Sequence, residues 1–254
     1  MQSDAAFSFK NIQFGYDNNV ILNIPDLLIP REGMVFIIGP SGIGKSTLLE
    51  SIGLMSNTFI NFDDANSSFS ILNENINPQF LWRADENKLT SIREKLFSFI
   101  FQTTNLMPNF SVLENILMAA NFEADQQDKV VEDVKQLLKK MSLPEDILDR
   151  PPHEISGGQK QRVAFVRALG GQFSILLADE PTGNLDIENS KALFSILSEH
   201  IKEKSKVAVI VTHHSELAHE YGNMIIEIHP TEKGYATTRV IKNEVFKHQE
   251  GIRS

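Results

Sequence analysis

Residues 39–47 read GPSGIGKST, a glycine-spaced run that ends in a lysine and two hydroxyl side chains. The pattern G-x-x-x-x-G-K-[ST] is met in full. Gly39, Gly42 and Gly44, with Pro40, Ser41 and Ile43 between them, let the backbone turn the loop's available N–H groups inward (Pro40 has none), an anion nest at the start of a helix. Lys45 then offers a cation to the β- and γ-phosphates of a nucleoside triphosphate. Ser46 offers a hydroxyl ligand to Mg²⁺, and Thr47 closes the motif. An apolar strand (MVFII, 34–38) precedes the run and a helix (TLLESIGLM) continues after Lys45, a context that a chance glycine turn lacks.

Phosphate binding alone does not hydrolyse anything. The segment SILLADE (174–180) ends in two consecutive acids, Asp179 and Glu180. Adjacent strand residues point to opposite faces, but at a strand end both can reach the phosphate edge. Asp179 suits the second shell of Mg²⁺. Glu180 suits a base that polarises the attacking water, a role worth roughly 10²–10⁴ in rate. Residues 155–164, ISGGQKQRVA, place a serine and two glycines ahead of a polar, basic run. Alone they read as a turn followed by a helix start. His213, His214 and His219 do not offer the i, i+4 pair of a helical zinc motif.

These groups must be carried by a chain of 254 residues with 24 basic and 33 acidic side chains, a net charge of −9. That length buries roughly 75% of the unfolded surface without staples. The absence of cysteine excludes thiol catalysis, cysteine–zinc sites and disulfides. The acidic balance argues against general nucleic-acid binding, so an anionic ligand needs local donors. No apolar run approaches the ~18 residues of a membrane span, and the N-terminus lacks the pattern of a signal peptide. A cytoplasmic or nucleoplasmic protein is expected, reaching any membrane through a partner.

Along the chain, residues 7–38 read as strands, and VAVIVT (207–212) and MIIEI (224–228) add strand-length apolar runs after helical segments. Apolar strands alternating with helices imply a largely parallel α/β sheet covered on both faces. No glycine occurs between Gly53 and Gly157. Within that gap, 57–80 reads as a hairpin or irregular excursion, and 85–96 as a helix through Leu89, Ile92 and Leu96. Two further helices fall in 111–141, the second from Asp128 to Met141. A helical block at about 103–165 thus interrupts the sheet.

With GPSGIGKST, ISGGQKQR and ILLADEPTGNLD in this order, the chain resembles the ATP-binding-cassette (ABC) ATPases from about Phe7 to Ile228. The resemblance implies one cassette over 1–254. A mostly parallel RecA-like core with an N-terminal antiparallel β subdomain occupies 7–102 and 166–254, and an inserted helical subdomain about 103–165. It implies ATP and Mg²⁺ as cofactors. Tyr16, 29 residues before Lys45, takes the place of the aromatic that stacks on adenine. Gln102, in FIFQ, corresponds to the glutamine that touches Mg²⁺ and senses the membrane partner, and His213 to the histidine at the γ-phosphate. Catalytic roles thus fall to Glu180, His213 and Gln102, and metal contacts to Ser46, Gln102 and Asp179.

By the same resemblance, Ser156, Gly157, Gly158 and Gln159 complete the nucleotide site of a second copy, with a helix beginning near Gln159. Asn184, Leu185 and Asp186 form the loop that crosses to that copy. A head-to-tail, ATP-dependent homodimer follows.

Lys45 and Ser156 are only 111 residues apart, which sets aside cassettes split by coiled coils. The phrases FIFQTTNLMPNFSVLENI, RPPHEISGGQKQRVAF and LLADEPTGNLD are most similar to the lipoprotein-releasing, macrolide-exporting and cell-division cassettes (LolD, MacB and FtsE types). That implies a permease with few transmembrane helices, at times an outer accessory protein, no nucleic acid, and a place on the inner face of the cell membrane. The alternative is a soluble cassette that remodels a cytoplasmic complex. Leu106, Met107 and Phe110 either face the permease or belong to the helical core. The segment 57–92, with the only tryptophan, Trp82, lacks the glycine turn of the pattern.

Overall fold

A computed structural model describes residues 5–17, 19–60, 66–84, 86–120, 127–183 and 185–243. The alternating residues of AAFSFKNIQFGY and NVILNIPDLLIP form a long antiparallel hairpin, β1 (Ala5–Tyr16) on β2 (Asn19–Pro30). Next come β3 (Gly33–Ile38) and α1 (Lys45–Ile52), then the short strands β4 (Phe59–Ile60), β5 (Ser68–Ile71) and β6 (Glu74–Asn75). Helices α2 (Pro78–Ala84) and α3 (Glu86–Leu96) lead into β7 (Phe97–Ile100). The helices α4 (Val112–Ala119), α5 (Gln127–Lys140) and α6 (Gly157–Leu169) follow. The chain returns through β8 (Ile175–Asp179), α7 (Ile187–Glu203), β9 (Val207–Val211), α8 (Ser215–Tyr221), β10 (Met224–Pro230) and β11 (Ala236–Asn243).

One continuous sheet runs β6-β5-β1-β2-β11-β10-β3-β9-β8-β7, with β4 on β1. Its β10-β3-β9-β8-β7 portion is parallel, and β6-β5-β1-β2 is antiparallel. This is the expected α/β architecture. In the central strands both faces are covered, so VAVIV is buried at every position rather than alternating. One face packs on α1 and on the aromatic layer of Phe7, Phe9, Phe69 and Phe97. The other packs on residues of α4 to α8, including Ile116, Val134, Phe165, Phe194 and Leu217.

The excursion at 57–80 resolves into β4, the β5–β6 hairpin and the start of α2, which holds Trp82. The hairpin turns on Leu72 (φ 51) and Asn73 (φ 69), both left-handed. A two-residue hairpin turn with both φ positive matches the strand twist and ordinarily carries glycine or asparagine. Here a leucine fills one of the two places. Strand β11 and helix α2 were not foreseen from the sequence: the first is a polar edge-like run, TTRVIKN, and the second is short. No helix among the described residues is long and apolar enough to cross a membrane.

Candidate active site

Parallel pairing brings four chain segments to one sheet edge. Ile37 of β3 lies opposite Val211 of β9, Val211 opposite Asp179 of β8, and Ala178 opposite Ile100 of β7. The residues just past these strands are Gly39–Gly44, Thr212–His213, Glu180 and Gln102. They therefore share the carboxyl-terminal edge, where open α/β sheets bind ligands.

The loop after β3 is fitted to its neighbours at two glycines. A Cβ on Gly39 (φ +152) would sit 2.4 Å from the carbonyl oxygen of Ile228, and Gly44 (φ +104) could carry one only against Ile21, in a left-handed conformation. Gly44 also starts α1 without a side-chain cap, and no acid occupies the first turn. By contrast α4, α6 and α7 are capped by Ser111, Ser156 and Asp186. The amino end of α1 thus presents N–H groups and partial positive charge uncompensated by its own side chains. An anion is the group such an end accepts. Pro40, Ser41, Gly42 and Ser46 are exposed around it, while Ile43 and Thr47 are half-buried.

Lys45 is buried, and its ammonium donates to the carbonyls of Gly39 (3.0 Å) and Pro40 (2.9 Å). Two of three donors are so used, and one is left for a phosphate oxygen. Burial pulls its pKa down, opposed by the charges of Glu180 and Asp179. Both acids therefore act on the same lysine, although they are adjacent in the chain. Glu180 is left-handed (φ 46), which breaks the strand alternation immediately after β8. The Glu180 N–H donates to Val211 O at 3.0 Å and so stays tied to β9.

Glu180 is buried, and that burial holds its carboxyl above the ordinary glutamate range, against the opposing pull of His213 and Lys45. The His213 N–H donates to Glu180 Oε2 at 3.2 Å, and His213 Nε2 stands 3.1 Å from Glu180 Oε1. At that second distance the two groups are close but not aligned for a hydrogen bond, since Oε1 has no hydrogen-bond partner. A carboxylate with a raised pKa beside an imidazole is equipped to take a proton from water. Asp179 Oδ1 is likewise buried without a partner. The oxygen donors of Ser46, Asp179 and Gln102 are of the hard type that Mg²⁺ prefers, and an orphaned carboxylate oxygen fits it. Among the described residues no cluster of three or more His, Asp or Glu side chains could hold a metal.

The remaining candidates lie where the folding of their own elements puts them. Tyr16 is half exposed at the end of the β1–β2 hairpin, whose Ile21 abuts Gly44 of the phosphate loop. Gln102 is exposed two residues beyond β7. Ser156 is the N-cap of α6, which starts at Gly157 rather than near Gln159 as the sequence had implied. The reason is a capping box: Gln159 N–H donates to Ser156 Oγ (3.3 Å) and Ser156 N–H to Gln159 Oε1 (2.9 Å). The Gln159 side chain is thus turned onto its own backbone. Asp186 caps α7 through Asn189 N–H at 2.8 Å. Leu185 packs on the helical core, and Asn184 lies outside the described residues.

Sequence reasoning missed two polar pins, a buried one at Asn115 and a part-buried one at Arg167. Asn115, on the apolar face of α4, donates to the carbonyls of Met107 (3.1 Å), Phe110 (3.2 Å) and Ser111 (2.9 Å) and accepts from Met107 N–H (2.6 Å). Arg167 of α6 donates to Thr104 O (2.8 Å) and Asn105 O (2.9 Å). A polar residue at a helix's apolar stripe is the available signal in both cases.

The sequence pattern of the ABC transporter family matches residues 22–183, more than half of the chain. The chain belongs to that family. As an ABC cassette it is an ATP-binding ATPase, and its curated relatives include lipoprotein-releasing system ATP-binding proteins, LolD. That of Rickettsia bellii is 35% identical over 85% of this chain and 92% of its own, and that of Zymomonas mobilis 33% identical over 81% and 83%. Among solved structures, the ATP-binding cassette MJ0796, described as a dimer in a post-hydrolysis state bound to ADP and Pi, is 31% identical. It covers 87% of this chain and 93% of its own, with a TM-score of 0.69. The cbiO1 cassette of Clostridium perfringens, at 24% identity and a TM-score of 0.76 over 99% and 94%, shares the fold.

Proposed function

We propose that this cassette hydrolyses ATP at a site it completes only by pairing head to tail with a second copy, and that the paired form drives a separate membrane permease of the exporter or mechanotransmission type. The observation that carries the hydrolytic reading is the buried Glu180 carboxylate at the sheet edge, 3.1 Å from His213 Nε2, with its charge and that of Asp179 acting on the buried Lys45. In this reading the amino end of α1, Gly39 to Thr47, cradles the phosphates. Tyr16 stacks on adenine. Ser46, Gln102 and Asp179 hold Mg²⁺, which supplies charge neutralisation at the β- and γ-phosphates. Glu180 accepts the proton of the attacking water, and His213 orients Glu180 and meets the γ-phosphate.

Pairing is supported by Gly157 and Gly158. A Cβ on Gly157 would meet nothing within 4 Å, and one on Gly158 only Arg162 at 3.9 Å, so the chain's own packing does not require glycine there. In this reading the two glycines leave room for the close approach of the other copy's phosphate. Ser156 Oγ accepts Gln159 N–H but keeps its own O–H to donate outward, so capping and phosphate contact are compatible. Leu185 and Asp186 belong to the loop that crosses between copies. The division into 7–102 with 166–254 and about 103–165 is part of the same proposal.

The likeness to LolD supports a permease partner and a peripheral place on the inner face of the membrane. So do Met107, Phe110 and Met118, exposed on the loop and helix after Gln102, whereas Leu106 is half-buried against the helical core. Affinity capture of tagged Glu180→Gln protein from detergent-solubilised cells, with ATP and Mg²⁺, tests this. Recovery of a membrane protein with few spans is expected. Recovery of soluble partners alone from well-extracted membranes would contradict the permease and favour remodelling of a soluble complex.

A further inference from the structure

Gln161 lies on α6, five residues after Ser156 and about 7.5 Å further along the helix axis. It is buried, and its Nε2 donates to the carbonyl of Pro181 at 2.8 Å. Pro181 is the residue directly after Glu180 and is buried too. A proline has no N–H, so that carbonyl is its only main-chain polar connection.

A left-handed conformation on a non-glycine residue persists only where its surroundings hold it. Glu180 is held at φ 46 by its N–H on Val211 O and by its carbonyl, which accepts Gly183 N–H at 3.1 Å. Both anchors come from the sheet or from the turn itself. The Gln161 bond is the one that arrives from α6, the helix whose N-cap is Ser156.

We propose that Gln161 is a positioning residue that ties each copy's phosphate-contacting helix to the turn carrying its own catalytic carboxylate, making turnover at the two sites of a pair interdependent. This rests on the paired-cassette reading. When Ser156 engages the other copy's phosphate, the position of α6 is passed through a buried amide to Pro181. Because Glu180 is bonded to that proline, the carboxylate is aimed when the neighbouring site is filled.

The test compares wild type with Gln161→Leu, which keeps bulk but removes the donor, and with Gln161→Glu, which donates only when protonated. ATP turnover, its dependence on ATP concentration, ADP affinity and melting temperature are measured for each. Gln161→Leu is expected to lose roughly 10- to 100-fold in kcat, the scale of a misplaced catalytic group. Its Hill coefficient should fall toward one while ADP affinity stays within twofold. Gln161→Glu should regain turnover relative to wild type as pH falls. If Gln161→Leu does not fold, that pH-dependent recovery alone decides.

Wild-type kcat and cooperativity in Gln161→Leu would overturn the proposal. So would a loss of ADP affinity parallel to the loss of turnover, which marks a purely structural contact. Pairing of Glu180→Gln protein under ATP is followed alongside. If that parent stays monomeric, the paired reading itself has failed; if it pairs and Gln161→Leu remains cooperative, only the tie has.

Discussion

Glu180 shows what a single residue costs and supplies. Burial keeps its carboxyl above the usual range, with Lys45 and His213 only partly offsetting it. A raised folded-state pKa means that the associated stability is full below the unfolded value, about 4.3, and is lost as pH rises through the folded value. Ionising this buried carboxyl in the nucleotide-free chain therefore costs stability that a neutral amide would not. Glu180→Gln is expected to melt higher than wild type at pH 7, by about 2–4 °C for each kcal/mol recovered, with the gap closing as pH falls toward 4. Its turnover should drop roughly 10²–10⁴-fold. Equal melting at pH 7, or a gap that widens in acid, would contradict the buried-carboxylate account. Wild-type turnover would remove Glu180 from the role of base.

At the scale of elements, the site is a sheet edge plus helix ends, each with its own local reason. Helix α1 begins on an uncapped glycine, whereas α6 and α7 begin on Ser156 and Asp186, each closing its own first turn. The phosphate loop, the acid pair and the glycine pair were legible in the sequence because their chemistry depends on residue type at fixed short spacing. What was not legible is long-range or conformational. The Asn115 and Arg167 pins join residues 8 and 62 positions from their partners, and the turn of Glu180 needs a backbone angle that no residue type announces. The turn at Leu72–Asn73 was hidden for the same reason, since glycine is its usual mark.

One element-scale prediction follows from Arg167, which ties α6 to the loop after Gln102. Arg167→Met keeps much of the stem and removes the donor of two carbonyls, of which only the Thr104 contact is part-buried, at a cost of about 1–3 kcal/mol. A lower melting temperature and earlier proteolytic cleavage within 102–111 are expected. An unchanged melting curve and digestion pattern would show that the loop is held by Asn115 alone.

For the whole molecule, the charge of −9 and an anionic nucleotide are reconciled locally. Lys45 and the amino end of α1 offer positive potential to a triphosphate, and the proposal adds the glycine-rich amino end of α6. In the proposed pairing a second copy brings both onto one nucleotide. The most direct measurement is the solution mass of Glu180→Gln protein by light scattering, with ATP and Mg²⁺, alone and combined with Ser156→Arg. The account predicts a twofold mass for the first, and monomers that still bind ADP for the second. A monomeric Glu180→Gln protein, or pairing that survives arginine at position 156, would contradict it.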